Sequence, residues 1–562
     1  GISPEGYITG LAIQVCVLSP DCGGVTGNGG NLTIETRRLL IQDGARVDAS
    51  TFGAGRGGDI LVRASDALDV IGASPDGDIT SGIFSQVGFG AIPDAGDAGN
   101  LTILTRRLTA LNGGQISTAT FTGGNGGTLT INAEDSILLS GASPAATRNE
   151  RRSGIFVSAE RGATGNAGEL NITTGNLTVE NGAEISANNF GPGNAGTVNL
   201  NSRQLIIQTG GEVRARAFDS GSGGDLIVNA TDSLEIAGTG NINSESFASA
   251  LSSSAEAEST GKAGNITIAT GSLNIEDGAE VTVSSLGTGD AGNILNISAD
   301  DLYLDNGSII TTSLSGNGGN IENIQVQNLR LRNRSQISTS AGTNNTGGGN
   351  GGNINLNPET LVALENSNIT ANAFGGRGGN VTITTQGIFR SPDTAITATS
   401  ALGTQFNGVI DIRNLGFDVE NTLTPIRANF VSAESAVRGS CLARRNSDQG
   451  SFTVTGTGGL PVTPYDDRID SWYALPGSLT VRGGNETSDR TRYLDATATS
   501  RTVPQPSPST LHQVTTSFPK WQAGSPIVEA QGIVKTADGR ILLASNSQRT
   551  TESAQSLICH PE

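Results

Sequence analysis

The sequence predicts an all-β protein whose main domain is a right-handed parallel β-helix with three short strands in each rung. The glycine-rich string GNGGNLTI, which contains Gly30, returns in variant form about every 28 residues, the period of a protein built from stacked repeats. Within each unit, apolar residues alternate with polar ones, which is the period of strands. Glycine makes up 79 of the 562 residues and aromatic residues only 4%, which suits a narrow interior better than several wide globular cores.

One unit shows where the strands are expected. Apolar residues alternate over 32–34, over 39–41 and over 45–49, and Asp43-Gly44 supplies a tight turn before the third segment. Each strand is expected to bond to the equivalent strand of the next rung, about 4.8 Å away. The inward Leu, Ile and Val side chains should then stack into ladders along the solenoid axis.

The repeat extends over residues 28–412 and is lengthened three times by about a dozen residues. We expect these insertions, at 72–92, 141–162 and 238–260, to bulge from one side of the solenoid and to make its contacts, because loops on a regular scaffold usually do. Residues 1–27 begin in mid-pattern and are interpreted as an incomplete rung at the start of an excerpt from a longer protein.

The second insertion carries a basic cluster on an otherwise acidic domain. It consists of Arg148, Arg151 and Arg152. We interpret the cluster as the solvated tip of a loop, in preference to a specific anion site, because a short run of charges usually marks a solvated surface.

Large apolar residues recur five or six positions before the glycine that anchors each rung. They could form a carbohydrate-binding platform on the surface, but their regular spacing favours a structural ladder stacked in the interior, where each contributes about 1.5 to 3 kcal/mol. The members of this ladder are Phe52, Phe121, Phe190, Phe218, Leu286, Leu314 and Phe374.

Residues 413–562 differ from the repeat region, since they hold only 12 of the 79 glycines and lose the 28-residue period. We expect a small β-rich carboxy-terminal module there. The four cysteines form two candidate disulfide pairs, Cys16 with Cys22 and Cys441 with Cys559, the second of which would bracket the module. Four cysteines allow three pairings, so the connectivity stays open.

Charge and residue types exclude several classes of function. The net charge of −19 falls entirely within residues 1–412, and such an acidic surface repels nucleic acid; no apolar run is long enough for membrane insertion. Both histidines, His512 and His560, lie outside the repeat, and Asp300-Asp301 is interpreted as a solvated corner. We therefore expect no catalytic residues, no metal and no cofactor, although a carbohydrate-active β-helix enzyme remains the alternative.

The glycine-rich rungs, together with the closing strings SCLARRNSDQGSFTVTGTGGLPVTP and IVEAQGIVKTADGRILLAS, resemble the filamentous haemagglutinin-like exoproteins of cyanobacteria. The likeness covers nearly the whole chain, as the carboxy-terminal portion of such a protein. It implies two-partner secretion through a separate outer-membrane barrel. It also implies a non-enzymatic adhesin, filament or surface layer at the cell surface or outside the cell.

The same resemblance defines the expected partners and one further alternative. Its partners would be the secretion barrel during export, and then a cell-surface glycan or protein, or copies of itself. The string VENT, from Val419 to Thr422, is similar to the motif that precedes the effector of contact-dependent toxins in this family. A toxin carrier is therefore a second alternative.

Overall fold

The computed structural model describes residues 10–14, 26–88, 96–147, 150–343 and 347–414, and the backbone of two short strands near the carboxy terminus. The chain divides into two compact units, Gly1–Pro425 and Ile426–Glu562. The second unit contains an antiparallel strand pair, β32 (Gly532–Lys535) with β33 (Ile541–Ala544). All four cysteines, both histidines and the VENT string lie outside the described residues.

The first unit is a parallel β-solenoid of about 13 rungs with roughly 29 residues in each, which confirms the predicted fold class. Long strands stack into one sheet and short strands into another. The long strands are β2 (Leu32–Gln42), β4 (Ile60–Ile71), β6 (Leu101–Leu111), β8 (Leu129–Ser140), β12 (Leu170–Glu180), β14 (Val198–Gln208), β16 (Leu226–Ala237), β20 (Ile266–Glu276), β22 (Ile294–Asp305), β24 (Ile321–Arg332), β26 (Ile354–Ala363), β28 (Val381–Thr385), β29 (Gly387–Arg390) and β31 (Ile410–Asn414).

The short strands form the second sheet, and we number the rungs from the one that begins with β2. Each rung consists of one long strand and the next strand of the short-strand sheet along the chain, so rung 2 begins with β4 and rung 5 with β12. The short strands are β1 (Gly10–Ala12), β3 (Arg46–Asp48), β5 (Gly82–Val87), β7 (Gln115–Thr120), β11 (Gly154–Ala159), β13 (Glu184–Asn189), β15 (Glu212–Ala217), β19 (Ala250–Ala255), β21 (Glu280–Ser285), β23 (Ser308–Ser313), β25 (Gln336–Ala341), β27 (Asn368–Thr370) and β30 (Ile396–Thr397).

The first two strands predicted for each rung are continuous in the structure. In β12, for example, the pairing with β8 shifts register between Thr174 and Asn176, so the strand is irregular where the sequence pattern suggests a break. The same shift recurs between Ser202 and Gln204 on β14. A register irregularity of this kind bends a strand without ending its ladder, so one long strand can supply two sides of a rung.

The interior consists of aliphatic ladders that run through successive rungs. At the first inward position of the short strands, Ile155, Ile185 and Val213 are register partners and are fully buried. The ladder continues to Ile309 in rung 9, which is equally buried. Parallel strands one spacing apart bring identical positions of the repeat into contact, so a repeated apolar residue makes a continuous core.

The glycine-rich corner is required because consecutive rungs approach closely there. A Cβ atom added at Gly58 would lie 2.1 Å from the carbonyl oxygen of Gly30, and one at Gly127 would lie 1.9 Å from that of Gly99. Only glycine avoids this collision. The recurrent glycine pair thus marks the line along which the backbone of one rung packs directly on the next.

Asparagine and aspartate side chains beside these glycines link the rungs. The Oδ1 atom of Asn293 accepts the backbone N–H of Asn320 at 2.8 Å, Asn320 accepts that of Asn353 at 2.8 Å, and Asn353 accepts that of Asn380 at 2.9 Å. A parallel series in earlier rungs includes Asn166, which accepts the N–H of Asn194 at 2.8 Å. We call these series the asparagine ladders. They satisfy backbone donors at a corner where no strand pairing does so.

Candidate binding cleft

The three insertions are built on the same base at the same corner, where a long strand passes into a short one. Each starts at a glycine with φ between 75° and 79° and ends at a serine whose N–H donates to the carbonyl of that glycine at 2.9 to 3.1 Å. The pairs are Gly72 with Ser81, Gly141 with Ser153, and Gly238 with Ser249. The insertions are therefore equivalent additions to rungs 2, 4 and 7, and the regular short strand resumes directly after each.

The insertions form hairpins that contact one another. The second contains β9 (Ala142–Thr147) and β10 (Glu150–Arg152), and the third contains β17 (Thr239–Ile242) and β18 (Glu245–Ala248), both pairs antiparallel. The first is closed by an antiparallel bridge between Ala73 and Thr80.

Contacts between the hairpins make them one surface. The hydroxyl of Ser143 donates to the carbonyl of Gly77 at 2.7 Å, which joins the second insertion to the first. Ile242 and Phe247 of the third pack on Ala146 of the second in a small separate apolar cluster. We call the described residues of the three insertions the hairpin ridge, which runs beside the short-strand sheet across rungs 2–7.

A buried ion cluster attaches the hairpin ridge to the solenoid. Glu184 accepts two hydrogen bonds from Arg214, at 3.1 and 2.7 Å, and lies 3.2 Å from Arg152. Glu212 contacts Arg152 and lies 3.2 Å from Arg214. Arg152 also donates to the carbonyl of Ala183 at 3.0 Å and lies over the ring of Phe247, 5.1 Å from its centroid.

The interpretation of the basic cluster as a solvated tip is therefore wrong for Arg152, which is only 1% exposed. Its charge is compensated by Glu184 and Glu212, which the stacking of rungs brings to it from 32 and 60 residues further along the chain. Arg151 stays near the surface and lies 3.5 Å from Asp78 of the first insertion. Arg148 lies outside the described residues.

The charges of the cluster determine the protonation of Glu184. Burial alone would raise its pKa, but the guanidinium groups of Arg214, Arg152 and Arg216 outweigh burial and lower the pKa of Glu184 to about 2. Burial, reinforced by the charge of Arg214, lowers the pKa of Arg216 to about 10. Glu184 and Arg216 are therefore both ionised at neutral pH.

Beside the cluster, a cleft of about 420 Å³ opens on the outer face of the short-strand sheet. Its floor contains the outward row of register partners Phe84, Ser117, Phe156 and Ser186, which belong to rungs 2 to 5. Because rings alternate with small hydroxyl side chains, the floor has a depression at each serine. The hairpin ridge forms one wall through Glu150–Arg152.

The opposite wall contains members of the predicted structural ladder. The rings of Phe190 and Phe218 stack, with centroids 4.4 Å apart and an angle of 18° between their planes, and Phe121 also lines the cleft. The guanidinium carbons of Arg161 and Arg216 lie 6.0 Å and 5.0 Å from the centroids of Phe190 and Phe218.

The expectation that this ladder lies inside the solenoid is corrected by the structure. Leu286 is 37% exposed and the other six side chains are only partly buried. The alternation of strand β13 gives the reason, since the side chains of Ile185, Ala187 and Asn189 all point inward. The next residue outside the strand, Phe190, therefore faces the cleft. The seven positions are Phe52, Phe121, Phe190, Phe218, Leu286, Leu314 and Phe374.

Besides Glu184 of the ion cluster, two carboxyl groups line the cleft, Glu160 beside its aromatic wall and Glu150 on the hairpin ridge. Glu160 accepts a hydrogen bond from the hydroxyl of Ser158 at 2.7 Å. Burial raises the pKa of Glu160, and the charge of nearby Glu150 raises it further, against the opposing effects of Ser158 and Arg161. Two acidic groups, one with a raised pKa, thus share one cleft with aromatic side chains. Sequence reasoning missed both, because neither lies in a recognisable motif.

The remaining sequence-predicted positions lie away from the cleft. Asp300 and Asp301 lie on β22 and accept hydrogen bonds from Gln327 and Asn328 of the next rung, at 3.0 and 2.9 Å. Among the residues that the structure describes, no group of three or more His, Cys, Asp or Glu side chains is arranged to hold a metal ion. Within the same residues, no helix has the length and apolar character needed to cross a membrane.

In comparisons with known proteins, no protein-family model, no curated protein and no solved structure matches this chain.

Proposed function

We propose that this chain is a non-enzymatic surface or adhesive structural protein, a solenoid of the filamentous haemagglutinin-like kind that acts outside the cell. The observation that carries the proposal is the uneven decoration of a regular scaffold. Rungs 2, 4 and 7 add hairpins at one corner, and these merge into one ridge beside a cleft. Loops added to one side of a repeat scaffold are typical of binding surfaces.

The sequence resemblance supports the same proposal. It implies export through an outer-membrane barrel, and then adhesion to a cell-surface glycan or protein, or assembly of copies into a filament or surface layer. The acidic composition agrees with partners other than nucleic acid. The toxin-carrier alternative concerns residues 413–562, which lie almost entirely outside the described residues, and stays a prediction.

Adhesion can be tested directly with the purified full chain. Beads coated with the chain are mixed with bacterial cells, with erythrocytes and with beads that carry the same chain. We expect retention or agglutination with at least one of these surfaces, above the level seen with albumin-coated beads. If none of the three surfaces is retained, the proposal of an adhesive or self-assembling protein is wrong.

One observation favours a second candidate, a carbohydrate-active enzyme. Glu150 and Glu160 line the same cleft, the charge of Glu150 contributes to the raised pKa of Glu160, and glycoside hydrolysis uses a pair of carboxyl groups of which one has a raised pKa. An enzyme would release new reducing ends from polysaccharides, and Glu160→Gln would abolish the release. Under the first proposal, neither the wild-type chain nor the variant releases any.

A further inference from the structure

From the cleft itself we infer a specific ligand class: it binds a short stretch of a neutral glycan chain. This inference rests on the proposed adhesive function and names the partner chemistry of its contact surface. The floor provides the half-buried ring of Phe156 between the hydroxyl groups of Ser117 and Ser186, whereas the ring of Phe84 at the end of the row is buried under the guanidinium of Arg46. Sugar rings present C–H faces that pack on aromatic side chains, and a rim of hydroxyls that needs hydrogen-bonding partners.

The floor has hydrogen-bonding capacity available. Within the described part of the chain, the side chains of Gln86, Ser117 and Ser186 form no hydrogen bond, although all three line the cleft. Asn188 lies in the adjacent outward row, where its Oδ1 accepts the backbone N–H of Arg216 at 3.2 Å. Available hydroxyl and amide groups on a floor that also carries rings suit a hydroxyl-rich ligand better than an apolar one.

The charges around the cleft favour a neutral ligand. Three acidic side chains, Glu150, Glu160 and Glu184, line it together with three basic ones, Arg151, Arg152 and Arg161. This balance contrasts with the net charge of −19 for the whole chain. A polyanion would meet repulsion from the acidic domain around the cleft, and a polycation would meet three arginines within it.

The position of the cleft favours a glycan over an extended peptide. Peptides commonly bind to parallel sheets by adding a strand at a free edge, but this cleft lies on the face of the sheet, where the strands are paired on both sides. The floor row spans four strands, about 14 Å at the spacing of parallel strands, and this length accommodates a few linked sugar rings.

Binding can be measured by isothermal titration calorimetry of the full chain with defined hexasaccharides. The neutral probes are cellohexaose, xylohexaose, laminarihexaose, maltohexaose, mannohexaose and chitohexaose, and hexagalacturonate is the acidic probe. We expect at least one neutral probe to bind and hexagalacturonate not to bind. The inference is overturned if no neutral probe binds, or if only the acidic probe does.

Two variants locate the binding site. Phe156→Ala removes the ring between the two depressions and should weaken binding about tenfold. Ile310→Ala is the matched control, because Ile310 is a half-buried outward residue in the same row on rung 9, outside the cleft. Ser117→Phe, which fills one depression, should also weaken binding, whereas Thr282→Phe on rung 8 should not. Equal binding by Phe156→Ala, Ser117→Phe and the wild-type chain overturns the inference.

The outcomes separate this inference from the proposed function. Retention on beads without binding of any neutral probe would overturn the glycan inference and leave adhesion standing. Binding of a neutral probe without retention on any surface would overturn adhesion and leave the glycan inference standing. Chromatography of the sugar recovered after the titration tests the enzyme candidate. Cleaved hexasaccharide would show that the site not only binds glycan but also cleaves it.

Discussion

Rungs 2–7 and rungs 8–10 are built on the same repeat, yet their outer surfaces differ. The earlier group carries the hairpin ridge, the buried ion cluster and the cleft. In the later group, tight turns such as Asp277-Gly278 and Asn306-Gly307 connect the long strands to the short ones. The interior does not change, since Ile185 and Ile309 occupy the same fully buried ladder. A ridge of hairpins and a cleft can therefore be added at one corner without altering the core that holds the rungs together.

The largest expected difference between the two groups lies in their ion pairs. Arg214→Met on rung 6 leaves Glu184 and Glu212 buried with less compensation, and should lower the free energy of unfolding by about 3 to 5 kcal/mol. Arg330→Met on rung 10 breaks an exposed pair, 3.2 Å from Asp301, and should change it by less than about 1 kcal/mol. Urea titrations of both variants measure the two effects. Similar effects for the two variants would contradict a buried, compensated cluster.

The second expected difference lies in how stability depends on pH, because the pKa values of Glu184 and Glu276 are shifted in opposite directions. The lowered pKa of Glu184 gives a stabilisation of roughly 3 kcal/mol that is present above the unfolded value near 4.5 and lost as the pH falls through about 2. Glu276 on rung 8 has a raised pKa, because of burial and the charges of Glu235, Asp277 and Asp305. Its stabilisation is present below pH 4.5 and lost as the pH rises.

The glutamine variants test these signs. Glu184→Gln should be less stable than the wild-type chain at pH 7, and the gap should shrink as the pH falls towards 2. Glu276→Gln should be more stable than the wild-type chain at pH 7, with a gap that shrinks towards pH 4. Thermal unfolding at pH values from 2 to 7 measures both gaps. If both variants are more stable than the wild-type chain at pH 7, or both are less stable, the predicted opposite pH dependence is wrong.

The smallest expected difference between the two groups lies at the glycine-rich corner, where equal effects of asparagine substitutions would show that the corners are equivalent. Asn166→Ala on the earlier ladder and Asn293→Ala on the later one each remove the acceptor of a backbone N–H that lies near solvent, and each should cost about 0.5 to 1.5 kcal/mol, the net value of one hydrogen bond. Asn293→Asp is the matched control, because Asp225 occupies the same kind of ladder position and accepts the N–H of Asn265 at 2.7 Å. Aspartate should restore most of the loss in urea titrations.

Sequence periodicity was sufficient to predict the solenoid, because a parallel stack places each residue against its own equivalent in the next rung. Every rung has the same local requirements for a close approach, a strand and a turn. The sequence shows them in the glycine pairs, in the alternation over 32–34 and in the turn at Asp43-Gly44. The asparagine ladders carried an equally regular signal, namely an asparagine or aspartate beside the glycine pair, but that signal was interpreted as the start of a strand.

The candidate site was harder to predict, because it depends on direction and on distant partners. Phe190 has the spacing of a ladder, but spacing alone does not say which face of the sheet a residue after the strand takes. Arg152 belongs to a basic loop by sequence, and only the stacking of rungs shows that Glu184 and Glu212 lie against it. A possible signal was the equal position of those two glutamates in rungs 5 and 6, which marks them as neighbours on one face.

The asparagine ladders have a direction, since each side chain accepts from the rung that follows and each rung donates to the one before. One whole unit therefore brings one new acceptor and one new donor, and its addition or removal leaves every corner bond satisfied. Gene duplication could lengthen or shorten this protein in steps of a repeat without inventing any new contact. The number of rungs would then change by whole units, while the hairpin ridge and the cleft on rungs 2–7 stay as they are.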